Sequence, residues 1–226
     1  MQDNRQIYWH DNFIKVLLAI IMLFGVQLHA QNPVKIPPYL KKGDTVGILA
    51  TARKVDLAPL QPAIKLLESW GLHVVVGKTV GLSNNQLAGA DWQRATDLQQ
   101  MLDDPKIKMI WCAKGGYGTV KIVDRIDFTK FKQKPKWIAG FSDATVLHSH
   151  INTLGIATLH SLVCISVGSA TPETIESFKK AIFGQKLEYS IAAHPFNKAG
   201  TAKGELIGGN LSVMYSIIGS KSEANY

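Results

Sequence analysis

The sequence predicts an α/β fold built on a parallel sheet, and three observations carry that prediction. Short apolar runs recur along the chain, and each is followed by a stretch whose apolar residues repeat at helical spacing. Glycine-rich or polar turns separate the two kinds of stretch. The composition, 46% hydrophobic and 19% charged over 226 residues, is that of a globular protein with a sizeable core. Strand–helix–strand units of this kind need parallel strands, because a helix carries the chain back to the starting edge.

The elements follow in order. Gln31 to Lys42 is a proline-rich lead-in, and Gly43-Asp44 is a turn. Thr45 to Ala50 reads as a buried strand. Leu57, Leu60, Ile64 and Leu67 then form a helical stripe that ends at Trp70-Gly71, and Leu72 to Val76 is a second strand. Residues 77–90 are rich in Gly, Ser and Asn and form a loop. Asp91 is placed to cap a helix whose apolar face is Trp92, Ala95, Leu98 and Leu102, with Pro105 beyond its end. Met109 to Ala113 is a third strand. A glycine loop, Lys114-Gly115-Gly116-Tyr117-Gly118, leads into a short helix carrying Val120, Val123 and Ile126. The fourth strand starts at Trp137, and a fifth runs from Ile156 to Leu159, ending at His160. Residues 43–165 thus make one α/β domain. Residues 166–200 are a linker helix from Pro172 to Phe183 and a connector in which Leu187 to Ile191 reads as a strand. Residues 201–226 begin a further unit, with a helix over Leu211 to Ile218.

The chemistry concentrates where the fourth strand meets its helix, in Trp137-Ile138-Ala139-Gly140-Phe141-Ser142-Asp143-Ala144-Thr145. Ala144, Leu147, Ile151 and Leu154 mark the face of that helix, and Gly155 ends it. Ser142 therefore stands at or just before a helix start, where unpaired N–H groups point outward. A serine there is as a rule an N-cap. It also suits a nucleophile, because an oxyanion formed there is stabilised. Gly140-x-Ser142 is half of a G-x-S-x-G corner, with Ala144 at the last small position. The glycine loop after the third strand lets backbone approach a ligand and offers N–H groups to an anion. Both lie at carboxyl ends of strands, where open α/β sheets bind ligands.

Other classes lack their marks. The chain has neither a G-x-G-x-x-G nor a G-x-x-x-x-G-K-[ST] pattern, so a nucleotide-binding domain is poorly supported. No zinc-type cysteine spacing, RNA-binding signature or helix-turn-helix pattern is present, and no nucleic-acid partner is expected. The net charge of +8 is spread, and the Lys130–Lys136 run reads as a solvated loop. Cys112 and Cys164 lie in apolar runs and read as buried free thiols, with a disulfide left open. Val16 to Leu28, preceded by Lys15 and followed by Leu28-His29-Ala30, has the length of a signal-peptide core. Residues 1–30 are read as a signal peptide, giving a periplasmic or secreted protein, with an uncleaved membrane anchor as the alternative.

Several motifs taken together resemble the LD-carboxypeptidase family, serine peptidases that trim murein tetrapeptides and include microcin-immunity peptidases. They are Pro38 to Asp44, Ala113 to Gly118, Pro135 to Thr145 with His148, and Gly208-Gly209-Asn210-Leu211-Ser212. Order and spacing both fit, over about residues 36–220. The resemblance implies a Rossmann-like N-terminal domain followed by the start of a smaller, mostly β C-terminal domain, commonly in a homodimer. It implies release of a terminal D-alanine from murein tetrapeptides with no metal or other cofactor. By motif, Ser142 is the nucleophile, forming an acyl-enzyme. The N–H of Asp143 and one from Gly115-Gly116 form the oxyanion hole, and Lys114 and Tyr117 contact substrate. Lys114 stands where the family usually has arginine, which bears on a bidentate carboxylate contact.

The family's Glu and His partners lie beyond the GGNL segment, and the chain ends sixteen residues past Asn210. The expectation is therefore a chain with little or no activity alone, because serine without a base is a poor nucleophile. His148, two turns into the helix, is expected to be a satisfied structural histidine with its ring turned from the corner. His160, at a strand end, could line the cleft but is not expected to serve as the base, and no carboxylate stands out as an orienter. The alternative is a non-catalytic relative that binds murein peptides through the glycine loop.

Overall fold

The structure is a computed structural model that describes residues 33–224. The signal-peptide or anchor reading of residues 1–30 lies outside them. Five strands form one wholly parallel sheet: β1 (Thr45–Leu49), β2 (His73–Val76), β3 (Ile107–Cys112), β4 (Trp137–Gly140) and β5 (Leu159–His160). Their order is β2-β1-β3-β4-β5. The chain leaves β1 toward one edge and returns to β3 on its other side. That change of direction opens a crevice at the carboxyl ends of β1 and β3.

Among the described residues, six α-helices accompany the sheet: α1 (Gln61–Ser69), α2 (Asp91–Asp103), α3 (Thr129–Gln133), α4 (Thr145–Thr153), α5 (Pro172–Ile182) and α6 (Leu211–Ser216). Val46, Ile48, Met109, Trp111, Trp137 and Ala139 pack on one side with α1 and α5. Leu49, Ile110, Cys112 and Ile138 pack on the other with α2 and α4. Both faces are covered, which is why β3 and β4 read as unbroken apolar runs rather than alternating ones. Trp111 stacks on Phe178 of α5 with ring centroids 4.6 Å apart, fixing that helix to the middle strand.

Local sequence explains the helix ends. α2 starts after Ala90, whose N–H donates to Gln93 Oε1, and stops at Asp104, which is extended ahead of Pro105. Asp91 is thus the first helical residue rather than the cap. The buried face of α2 also differs from the expected one. It holds Arg94, Asp97 and Met101 beside Ala95, Leu98 and Leu102, while Trp92 is 63% exposed. α4 ends at Leu154-Gly155, with Gly155 in the left-handed region at φ +69° and Ile156 N–H returning to Ile151 O.

Four other readings are corrected. The segment from Val120 to Ile126 forms two 3-10 turns, Thr119–Lys121 and Val123–Arg125, not an α-helix. The fifth strand is only Leu159–His160; Ile156 forms an isolated bridge with Lys35 instead. Leu187 to Ile191 is not a strand: its alternating Leu187, Tyr189 and Ile191 are exposed and no strand lies beside them among the described residues. The Lys130–Lys136 run contains α3, and Lys136 is buried rather than solvated. Lys130, Lys132 and Lys134 stay exposed at the amino ends of the strands, the end opposite the glycine loop.

Candidate active site

The corner after β4 is built from small residues. Gly140 has φ +151°, and a Cβ there would lie 3.0 Å from Cys112 Cβ and 3.1 Å from Ala144 Cβ. Ser142 follows in the left-handed region at φ +60° and opens a 3-10 turn, Ser142–Ala144, that runs into α4. A non-glycine residue held there costs about 1–2 kcal/mol, which the packing around it must outweigh. The common N-cap reading of this serine does not hold. The residues before the two helical segments are Phe141 and Ala144, and neither makes a side-chain cap bond. The Ser142 hydroxyl takes part in no hydrogen bond among the described residues, and the residue is half-buried.

The glycine loop after β3 comes up against this serine. A Cβ built on Gly115 would stand 3.4 Å from both Cβ and Oγ of Ser142 and 4.0 Å from the backbone N of Asp143. Gly116, at φ +144°, lies against Arg53 of the loop after β1, and Arg53 N–H donates to Gly115 O at 3.4 Å. The N–H groups of Gly115, Gly116 and Asp143 donate to no backbone acceptor among the described residues. Both expected substrate-contact residues lie in the same loop: Tyr117 is 54% exposed, and Lys114 Nζ reaches Lys54 O at 3.4 Å. The structure therefore brings Ser142, Asp143, Gly115, Gly116, Lys114 and Tyr117 to one end of the sheet.

Residues that the motif reading missed hold this arrangement. The Asp143 carboxylate is buried and accepts from Gly118 N–H at 3.0 Å, from Thr119 N–H at 3.2 Å and from the Thr119 hydroxyl. Arg94, fully buried, donates through Nη1 to Gly118 O at 2.9 Å and Thr51 O at 2.7 Å, and through Nη2 to Asp91. Burial pushes the Arg94 guanidinium below its ordinary value, and Asp91 and Asp143 counter that pull. The sequence held one signal for it. Arg94 lies one and two turns from Leu98 and Met101, on the apolar face of α2.

Two histidines stand near the corner. His148 is buried, with Nε2 2.9 Å from Gly140 O and Nδ1 2.8 Å from Thr158 Oγ1. The carbonyl can only accept, so Nε2 carries the proton and the Thr158 hydroxyl donates to Nδ1. Burial pushes this ring down to about 4. It is the satisfied histidine expected, although its ring lies under Gly140 rather than away from the corner. His160 is exposed, its ring centroid 5.7 Å from that of His148, and no hydrogen bond joins it to Ser142. Cys112, beneath Gly140, is a free buried thiol pushed up to about 12 by its burial, and Cys164 is likewise free. Among the described residues, no three His, Cys, Asp or Glu side chains gather as metal ligands would.

The segment with the two glycines docks beside the corner. Asn210 N–H donates to Thr145 Oγ1 at 2.9 Å, and Gly209 packs so tightly on Thr145 that a Cβ would come within 2.5 Å of it. Asn210 Oδ1 then caps α6. A groove of about 880 Å³ runs between α4 and α5 beside β5, lined in part by Ser149, His160, Glu173 and Tyr189. Ser142 is not in its wall.

Comparison with known proteins bears on this geometry. Residues 46–161 match the sequence pattern of the LD-carboxypeptidase N-terminal domain. A probable murein peptide carboxypeptidase of Bacillus subtilis is 38% identical over 83% of this chain and 60% of its own. A murein tetrapeptide carboxypeptidase of Pseudomonas aeruginosa is 28% identical over 77% of this chain and 60% of its own. The chain thus spans about 60% of the length of these relatives. The solved structure of the microcin C7 self-immunity protein MccF shares the fold, with a TM-score of 0.71 at 22% identity over 84% of this chain and 67% of that one. The parallel sheet is accordingly Rossmann-like, and with its Ser142 corner set against the glycine loop this chain belongs to the LD-carboxypeptidase family.

Proposed function

We propose that this site handles the carboxyl-terminal peptide bond of murein tetrapeptides, with Ser142 as nucleophile toward the bond that retains D-alanine. The observation that carries the reading is the pairing of Ser142, strained at φ +60°, with Gly115 and with N–H groups that have no partner among the described residues. The chemistry is acyl transfer. Oγ attacks the carbonyl carbon, the carbonyl oxygen becomes an oxyanion, and N–H groups of Asp143 and of Gly115 or Gly116 take its charge. Donors fixed before the reaction act where charge develops and need no reorganisation. Collapse breaks the C–N bond, the proton given up by Oγ leaves on the D-alanine amine, and an ester remains on Ser142 for water to cleave. Lys114 and Tyr117 stand at the rim, where a cation meets the terminal carboxylate.

A second reading, binding of murein peptide without turnover, is favoured by one observation. No histidine or carboxylate hydrogen-bonds to the Ser142 hydroxyl among the described residues. On the proposal as a whole, these 226 residues bind a murein tetrapeptide and release D-alanine slowly or not at all. Peptide binding by titration calorimetry, run beside a D-alanine release assay, tests it. Binding with any release lost in Ser142→Ala is the expected result. Release that persists in Ser142→Ala overturns the nucleophile, and absence of binding overturns the site.

A further inference from the structure

Asp143 enters the proposed chemistry through its backbone N–H, but its side chain has a separate task. The carboxylate turns away from the corner and spans to the glycine loop, where it accepts from the N–H groups of Gly118 and Thr119 and from the Thr119 hydroxyl. Arg94 reaches the same peptide plane from the opposite side and donates to Gly118 O. Gly118 is thus gripped at both its polar backbone groups by two buried side chains of opposite charge. Only glycine fits between them. A Cβ at Gly118 would come within 2.9 Å of Ala52 Cα and of Arg94 Nη1. The second Nη1 bond, to Thr51 O, ties the loop after β1 to the same plane.

We propose that Asp143 and Arg94 are positioning residues that set the N–H groups of the glycine loop at a fixed distance from residue 142. The inference rests on the reading of Ser142 as the reacting residue and adds what holds its surroundings. Asp143 follows Ser142 directly in the chain, so any movement of the corner is carried to the loop through its carboxylate. The loop has few other ties. Among the described residues, Gly115 O accepts only the 3.4 Å bond from Arg53, and Gly116 and Tyr117 make no backbone hydrogen bond. A loop with so few bonds of its own keeps one conformation because charged, buried acceptors and donors fix its far end. The opposite charges also matter to the reaction. A lone buried carboxylate beneath an oxyanion would oppose it, and the Arg94 guanidinium on the other side of Gly118 offsets that charge.

The test needs neither turnover nor a base. In the full chain, Ser142→Cys places a thiol at the corner, and its alkylation by iodoacetamide is followed against pH. Cys112 and Cys164 are buried with thiols pushed up, so they stay silent, and mass spectrometry confirms a single adduct. N–H groups aimed at residue 142 stabilise the thiolate, so the thiol titrates below the ordinary free-cysteine value of about 8.5. Asp143→Glu and Thr119→Val are then added singly. Both keep the local charge, so a change reports donor geometry and not Coulomb repulsion. The expected result is an upward shift of the thiol titration, by about one unit for Asp143→Glu and less for Thr119→Val, while thermal unfolding shows both variants folded. A depressed titration that neither variant moves overturns the positioning role alone. A thiol that titrates at or above the ordinary value removes the N–H pocket, and with it both the proposed site and this inference. Thr119→Val removes only a hydroxyl group and keeps the test decisive if Asp143→Glu does not fold.

Discussion

Gly115 faces Ser142 so closely that a Cβ on the glycine would stand 3.4 Å from the serine Oγ. That separation is an ordinary van der Waals contact, so the fold accepts a methyl group there while the space beside Oγ does not stay free. Gly115→Ala is expected to unfold within about 0.5 kcal/mol of the wild type, the usual range for a tolerated site. Its affinity for a murein tetrapeptide is expected to fall by about tenfold or more, because the methyl fills the space a substrate carbonyl needs. Calorimetric titration beside a urea unfolding curve checks both halves. Equal affinity would mean that the substrate carbonyl lies elsewhere.

Ser142 itself stores strain at φ +60°. Ser142→Gly relieves the Cβ clash of the left-handed region and is expected to raise stability by about 1 kcal/mol over Ser142→Ala. The alanine variant keeps the clash and loses only an unbonded hydroxyl. The two urea midpoints give the answer, and equal midpoints would show that the corner relaxes without glycine.

His148 links the corner to acid stability. Its ring is pushed down to about 4 by burial, against an ordinary value near 6.5. The unfolded chain therefore takes up a proton between these values that the folded chain refuses. The contribution is whole above about pH 6.5 and is lost as pH falls toward 4, amounting to roughly 3 kcal/mol for such a shift. A protonated ring would also turn Nδ1 into a donor facing the Thr158 hydroxyl. His148→Gln keeps a donor for Gly140 O and removes the titration. Its melting temperature is expected to fall less steeply than that of the wild type over that window. Parallel curves would place the acid sensitivity in other groups.

Lys136 is a second basic group that burial pushes down, in a higher pH window. Its Nζ is buried at the end of α2 and donates to Met101 O at 2.9 Å and to Asp104 O at 2.6 Å, occupying carbonyls that the helix end leaves open. Burial pushes the amine down to about 8 from 10.5. Between these values the unfolded chain holds the proton more firmly, so this residue makes folding more favourable as pH rises from 8 to 10.5. Lys136→Met removes that slope and leaves two carbonyls without a donor, at a cost of about 1–3 kcal/mol at pH 7. Unfolding curves at pH 7, 8.5 and 10 for both proteins separate the two effects.

The strands and the corner were legible because they obey one local rule each. Val46, Ile48 and Leu49 belong to a short apolar run bounded by turn residues, as a strand buried on both faces does, and Gly140-x-Ser142 precedes a helical stripe, as a strand-to-helix corner does. What escaped depended on distant partners. Leu187, Tyr189 and Ile191 alternate as a strand does, yet a strand needs a neighbour, and none of the described residues supplies one. Residues 119–126 have helical spacing, but the N–H groups of Lys121, Ile122, Arg125 and Ile126 bond three residues back, to Gly118, Thr119, Ile122 and Val123 O, so the segment closes as 3-10 turns. Trp92 reads as core and is exposed, while Arg94, which the expected apolar face of α2 leaves out, is fully buried because two loop carbonyls and Asp91 accept its hydrogen bonds. The spacing of α2 puts Arg94 beside Leu98 and Met101, but nothing in it registers the two carbonyls from distant loops that accept from this buried cation.

The most direct test of the account is a crystal structure of the chain with a bound murein tetrapeptide. The account predicts the carbonyl carbon of the last peptide bond in van der Waals contact with Ser142 Oγ. Its oxygen should point at the N–H groups of Asp143 and of Gly115 or Gly116, with the terminal carboxylate toward Lys114. A peptide lying instead in the groove between α4 and α5, with Ser142 untouched, would contradict it.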